Sequence, residues 1–155
     1  MKTLGIVFVV FGIMAVFGIL PFAGTDVAKL EPVEVVALSW ERNRILVQTD
    51  TQEQGRGQTL EATFADLKES ADGQVFLETA QYLLLEKDQI HLLPELKTFL
   101  RPSCNICIWS GQGELQDIAQ YLEVHHPGLT LLRWLADKSS IPVLKIIQGG
   151  IDLEC

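Results

Sequence analysis

The chain has 155 residues, with 12 basic and 20 acidic side chains, a formal charge of −8 and a mean hydropathy of +0.23. That length allows one ordinary domain and one appendage. The acidic surplus, with no basic cluster to offset it, argues against binding to nucleic acids or to anionic membrane surfaces. A positive mean hydropathy beside 21% charged residues indicates that the apolar residues are concentrated in one part of the chain.

The apolar surplus lies in the first 24 residues, which we interpret as a transmembrane anchor or a signal peptide. No polar side chain occurs from residue 4 to residue 20, and the uncharged stretch continues to Gly24, which reaches the roughly 20 residues that span a bilayer as a helix. Lys2 precedes this stretch and Asp26 follows it, so the positive-inside rule places the amino terminus in the cytoplasm and the rest outside. Small residues are poorly placed for cleavage, which favours an uncleaved anchor over a removed signal peptide. A buried core helix is the remaining alternative.

The rest of the chain is predicted to be an acidic globular body. Without the first 24 residues, whose only charged side chain is Lys2, 11 basic and 20 acidic side chains remain. Residues 25–32 are predicted to be a linker, and residues 33–155 a single extracytoplasmic domain. β-Branched residues at 33–38 and an alternating pattern at 44–49, with a turn between them, predict a β-hairpin.

A loop and a helix are expected after the hairpin. Residues 54–58 (QGRGQ) break the strand pattern and predict a loop. Leu60, Phe64 and Leu67 then recur at helical spacing, and Thr59 is suited to be the N-cap. This stretch therefore predicts an amphipathic helix that ends near the Asp-Gly pair at 72–73.

The remainder alternates predicted strands and helices. We expect strands at residues 80–85, 104–109 and 143–147, the first of them buried on both sides. Helices are expected around Pro94, along the stripe Leu115, Ile118, Ala119 and Leu122, and at residues 131–135. The crossovers are long enough to make some strands parallel. The sequence therefore predicts an α/β (α+β) fold, a single small domain with a mixed β-sheet packed by helices.

Cys104 and Cys107 form the motif with the most evident chemistry. Redox pairs with this spacing need a helix turn that brings both sulfurs together, whereas here the pattern predicts a strand, in which positions i and i+3 point to opposite faces about 10 Å apart. Two buried or half-buried thiols are therefore favoured over a redox pair. A zinc site would have to recruit His125 and His126 as well, and adjacent histidines rarely reach one ion. Cys155 leaves an odd thiol in any disulfide scheme.

The other candidate motifs favour structural roles. Residues 54–57 and 110–113 are glycine-rich but lack the lysine and hydroxyl residue of a phosphate loop. The serine pair at 139–140 has no histidine in an ordered arrangement nearby. The three tryptophans could line a ligand groove but are favoured as packing residues; they are Trp40, Trp109 and Trp134. We therefore assign no catalytic, cofactor-binding or metal-binding residue and expect no cofactor.

Four parts of the body share a pattern with one protein family. In chain order they are EVVALS (34–39) with ILVQT (45–49), GQTLEATFADL (57–67), YLLLEKD (82–88), and FLR (99–101) with ICIWSG (106–111). They resemble the opening hairpin, the first helix, the buried central strand, and the helix end with its following strand in one domain. That domain is the N-terminal domain of the C subunit of spore-germination nutrient receptors, the Ger(x)C or GerAC-like family.

The resemblance implies a non-enzymatic, membrane-anchored protein-interaction module that docks to multi-pass membrane subunits of a receptor complex. It places the body on the outer face of the cell membrane or of the spore inner membrane. The sequence lacks the family's lipidation cysteine after the apolar stretch and stops at Cys155, before the family's further domains, so a diverged and truncated relative is expected. The alternative is an envelope redox or metal-binding protein that uses Cys104 and Cys107.

Overall fold

The computed structural model describes residues 32–147 and 150–154. The anchor predicted at residues 1–24 and the linker up to residue 31 lie outside the described residues. Within the described ranges, no helix is both long enough and apolar enough to cross a membrane. The membrane anchor therefore stays a prediction from the sequence.

A seven-stranded mixed sheet forms the centre of the described structure. The strands lie in the order β3-β2-β1-β4-β5-β6-β7. β1, β4, β5 and β6 are parallel to one another, whereas β2, β3 and β7 each run antiparallel to the strand that precedes them in the chain. This topology confirms the predicted mixed α/β sheet. The strands are β1 (Val35–Glu41), β2 (Arg44–Thr49), β3 (Gln54–Gly57), β4 (Tyr82–Leu85), β5 (Asn105–Ile108), β6 (Val143–Ile147) and β7 (Gly150–Glu154).

The hairpin of β1 and β2 is confirmed, and its turn explains its register. Arg42 and Asn43 have positive φ angles of 48° and 67°. Two such residues form the type of two-residue turn whose twist matches that of the flanking strands. The turn sets Glu41 opposite Arg44, and the pairing continues from there along both strands.

Helices cover both faces of the sheet. α1, α2 and α4 share one apolar cluster with the strands on the side that we call the first face, whereas α3 packs on the opposite, second face. α1 begins at its predicted N-cap, because Thr59 Oγ1 accepts a hydrogen bond from Ala62 N at 3.2 Å. The helices are α1 (Leu60–Ser70), α2 (Leu93–Leu96), α3 (Leu115–Val124) and α4 (Leu131–Asp137), with 3₁₀ helices at Leu77–Thr79 and Lys87–Leu92.

β4 shows how the strands divide their side chains between the two clusters. Leu83 and Leu85 lie in the first-face cluster, whereas Tyr82 and Leu84 lie in the second-face cluster with Ile118 of α3. All four strand residues are fully or almost fully buried. A strand buried on both faces needs apolar residues at every position, which explains the uninterrupted run that predicted it.

The chain changes faces after α3 by passing the amino end of β5. Ile106 N donates to Leu129 O at 2.9 Å, and Leu131 N donates to Cys104 O at 2.8 Å. Thr130 pairs antiparallel with Asn105 at the same place. This short pairing carries the chain from α3 on the second face to α4 on the first.

The loop predicted at residues 54–58 is wrong, because Gln54–Gly57 forms β3 and pairs with β2. A Cβ at Gly57 would lie 2.6 Å from Thr63 N, and a Cβ at Gly55 would overlap the backbone of Thr63 and Leu67. Glycine therefore lets α1 lie directly on β3. The alternation of apolar and polar side chains could not predict β3, because Gly55 and Gly57, which allow this packing, have no side chains.

Candidate functional site

The two cysteines of the CxxC motif lie on opposite faces of the sheet. Cys104, just before β5, belongs to the first-face cluster, and Cys107, within β5, belongs to the second-face cluster. Burial raises the pKa of the Cys104 thiol to about 12, which suppresses the thiolate that disulfide exchange and metal binding require. The geometry thus gives no support to a redox pair. Cys155 lies outside the described residues.

The adjacent histidines have separate partners. His125 stacks on Tyr121 with ring centroids 4.3 Å apart, whereas His126 Nδ1 lies 3.1 Å from the Tyr82 hydroxyl. That hydroxyl donates to Leu122 O at 2.9 Å, so the Nδ1 of His126 donates to Tyr82. In the described parts of the chain, no group of three or more His, Cys, Asp or Glu side chains could hold a metal ion. The contacts of His126 instead link the end of α3 to β4.

Carboxylates gather at the amino end of β1. Asp50 Oδ1 accepts from the backbone N–H groups of Glu34 and Val35, each at 3.1 Å. Burial is the largest cause that raises the pKa of Glu34, followed by the charges of Glu123 and Asp50. Burial also raises the pKa of Asp50, against the lowering effect of its backbone hydrogen bonds. These contacts fix the start of β1.

A polar groove of about 450 Å³ lies between the β2–β3 hairpin and the beginning of α3. No lysine, arginine, histidine or cysteine lines it. Its one hydroxyl side chain, Thr49, bonds to Thr51 and to the backbone of Glu53 rather than to a base. The groove can form hydrogen bonds but lacks a paired nucleophile and base. Its polar side chains are mainly carboxamides and carboxylates: Gln48, Asp50, Gln52, Gln54, Glu114 and Gln116.

The glycine-rich stretch at residues 110–113 borders this groove. Gly111 and Gly113 have φ angles of +79° and +93°, which glycine adopts readily. The adjacent Trp109 Nε1 donates to Gln112 O at 2.6 Å and closes the loop. The glycines thus turn the chain from β5 into α3.

The carboxyl ends of parallel strands, where α/β proteins commonly bind ligands, hold two further polar residues. Glu86 Oε2 accepts from Trp40 N at 3.2 Å and so joins the end of β4 to β1. Gln89, in the following 3₁₀ helix, is fully buried, and its side-chain amide has no hydrogen-bond partner among the residues described. This edge therefore offers one carboxylate already bonded to backbone and one amide enclosed in the core.

The three tryptophans do not converge on one site. Trp40 is 42% exposed, whereas Trp109 and Trp134 are buried. Trp134 belongs to the first-face cluster and Trp109 to the second-face cluster. The serine pair at 139–140 lies between α4 and β6 and bonds to no histidine of the described chain. Neither group forms the ligand or catalytic site that its residue types could suggest.

β7 forms one edge of the sheet and was not predicted from the sequence. Within the described residues, β7 pairs with β6 alone. Ile147 lies opposite Gly150 at one end of the pairing, and Val143 lies opposite Glu154 at the other. The available signal was the alternation of apolar and acidic residues at 151–154 after a Gly-Gly pair. The structure therefore adds to the candidate sites a strand edge that is unpaired among the residues described.

Comparison with known proteins finds no matching family model, no matching curated protein and no matching solved structure.

Proposed function

We propose that the chain is a membrane-anchored extracytoplasmic protein-interaction module, a non-catalytic component of a membrane receptor complex of the kind found in spore germination. The observation that carries the proposal is the edge of β7, with which no described strand other than β6 pairs. A strand edge presents a row of backbone donors and acceptors that other proteins bind by strand addition. The described residues offer this surface and no assembled catalytic group.

The apolar stretch supports the proposed location. Its length suits a membrane-spanning helix, and Lys2 and Asp26 are distributed around it as the positive-inside rule requires for an external body. Anionic lipid headgroups repel the acidic body, so the body is not held against the membrane surface. We infer that the membrane holds the chain at residues 1–24 and that the body is left available to protein partners.

Site-specific crosslinking in intact membranes tests this function. A photo-crosslinking amino acid is placed at Ile147, which is 56% exposed and pairs with the first residue of β7. The matched control is the same amino acid at Leu132, which is 61% exposed on α4. We expect a crosslink from position 147, but not from position 132, to a multi-pass membrane protein.

The location is tested in the same cells. External protease should degrade the body of intact cells or of stripped spores and should spare a tag fused to the amino terminus. A body that is protected until the membrane is opened contradicts the proposed orientation. A chain that remains monomeric and uncrosslinked from both positions in gently solubilised membranes contradicts the proposed function.

A further inference from the structure

We propose that the edge of β7 binds an extended segment of a partner protein in which basic and apolar residues alternate, so that the segment adds to the sheet as an eighth strand. This inference names the partner chemistry of the interaction surface and rests on the proposed function. It is carried by the direction of the backbone groups of β7 and by the chemistry of its two faces.

The hydrogen bonds of β6 determine which groups of β7 point outward. Ile108 N donates to Pro142 O at 2.8 Å, so the backbone groups of residues 142, 144 and 146 face β5, and those of residues 143, 145 and 147 face β7. The β7 residues opposite this second set are Gly150, Asp152 and Glu154. Ile151 and Leu153 therefore direct their N–H and C=O groups away from β6, out of the sheet.

The outward groups form a short, regular docking edge. The two residues present two donors and two acceptors, and no described residue bonds to these groups. Their side chains are half-buried, so a strand placed beside them would cover apolar surface as well as backbone. Backbone pairing supplies affinity in this binding mode, and side-chain contacts on the two faces supply specificity.

The two faces of β7 differ in chemistry. Ile151 and Leu153 pack with the second-face cluster, whereas Asp152 and Glu154 lie exposed on the first face. Lys145 Nζ forms an ion pair with Glu154 Oε1 at 2.6 Å, and no ion pair joins Asp152 to another described residue. A complementary strand therefore carries basic residues beside Asp152 and apolar residues on the other face.

The same charges argue against a second copy of the chain as the occupant. Antiparallel pairing of two β7 edges would place the acidic side chains of both copies on one face, directly or diagonally opposite each other. Like charges in such cross-strand positions are destabilising. The overall charge of −8 adds repulsion between copies and attraction for a basic segment.

Peptide binding to the detergent-solubilised full chain tests the inference. The probe is a peptide of about seven residues that alternates lysine and valine, a length that covers a typical strand. The control peptide has the same composition, with its lysines and valines in two separate blocks. We expect the alternating peptide to bind at least about tenfold more tightly, because its charges and apolar groups fall on separate faces of a strand.

Two variants, each with a matched control variant, separate strand addition from general electrostatic attraction. Ile151→Pro removes an outward N–H that β6 does not use, and Ile151→Val keeps it. We expect the proline variant to lose about tenfold in affinity and the valine variant to bind like the wild type. Asp152→Lys should weaken binding similarly and create a preference for a peptide that alternates glutamate and valine. Asp137→Lys, the same charge change on α4, should have little effect.

Different experimental outcomes would overturn different parts of the inference. Equal binding of the two peptides, or unchanged binding by a folded Ile151→Pro variant, overturns strand addition. If the proline variant does not fold, the reversed preference of Asp152→Lys decides the question. A dimer crosslinked through β7 overturns the inference in favour of a second copy.

The two proposals fail in different ways. Peptide discrimination by a chain that remains monomeric and uncrosslinked from both positions in membranes refutes the receptor-module function but not the chemistry of the edge. A crosslink from Ile147 to a multi-pass subunit, together with no peptide discrimination, refutes strand addition but not the module.

Discussion

Asp50 shows how one polar side chain fixes the place where the body begins. Its Oδ1 accepts the backbone N–H groups of Glu34 and Val35, where β1 begins. Buried N–H groups that lose an acceptor cost about 1–3 kcal/mol. The carboxylate of Asp50 therefore supplies the acceptor for the N–H groups at the start of β1.

We predict that Asp50→Ala destabilises the chain by about 1–3 kcal/mol relative to Asp50→Asn, because asparagine keeps an oxygen for both N–H groups. The measurement is urea unfolding of both variants at neutral pH. Equal stability of the two variants would show that the hydrogen bonds contribute little to stability.

The charge of Asp50 has a separate pH dependence. Burial raises the pKa of Asp50 above its ordinary 3.8, so the folded state binds this proton more tightly than the unfolded chain does. The stability that this proton gives to the folded state is fully present below pH 3.8. It is lost as the pH rises through the pKa of Asp50 in the folded state. We therefore expect Asp50→Asn to gain stability relative to the wild type as the pH rises above 3.8. Asp50→Asn also removes a charge that helps to raise the pKa of Glu34, and this change favours the variant in the same direction as the pH rises.

Cys104 is predicted to be inert in the folded chain. A thiol with a pKa of about 12 holds roughly a thousandth of the thiolate of an ordinary cysteine with a pKa of 9.0. With Cys107→Ala and Cys155→Ala as background, we expect labelling of native protein at pH 8 to be slower than labelling in urea by on the order of a thousandfold. Native labelling at the unfolded rate would revive the redox alternative.

Gly57 permits the close contact between β3 and α1. Its substitution therefore tests how far the stability of the chain depends on that contact. The Cβ of Gly57→Ala would meet Thr63 N at 2.6 Å, so α1 must move or the strand must shift. We expect a loss of about 3 kcal/mol in the free energy of unfolding, at the upper end for overpacking.

Gly150 provides the matched control for this substitution. It also lies in a strand, but a Cβ there meets nothing within 4 Å, so Gly150→Ala should change stability by less than about 0.5 kcal/mol. A Gly57→Ala variant as stable as Gly150→Ala would mean that α1 does not depend on this close contact.

Strands and helices were predictable from the sequence where apolar side chains recurred at the spacing of a strand or of a helix. The buried run of β4, the N-cap Thr59 and the stripe of α3 all gave local signals, and the structure has each element. β3 was not predictable because two of its four residues are glycines whose role depends on α1, which lies later in the chain. β7 was missed although its alternation was visible.

At the scale of the whole molecule, the mixed sheet was predictable and the candidate site was not. The fold class follows from the number, order and spacing of local elements. The interaction edge depends on which strand lies outermost, and strand order is set by long-range pairing that no local pattern encodes. The separation of Cys104 from Cys107 could be predicted, because alternation along a strand is a local property.

The position where the amino-terminal segment joins the sheet has a mechanical consequence. A tether at residue 32 would pull on the amino end of β1, which pairs with β2 through six residues and with β4 through four. Force applied in this direction shears both ladders, so their hydrogen bonds must yield together rather than one after another. Asp50, which accepts the N–H groups of Glu34 and Val35, lies close to the end of β1 on which this force would act. If the predicted anchor holds the chain, a pull from the membrane would load β1 before it reached the β6–β7 edge, because β4 and β5 lie between them in the sheet.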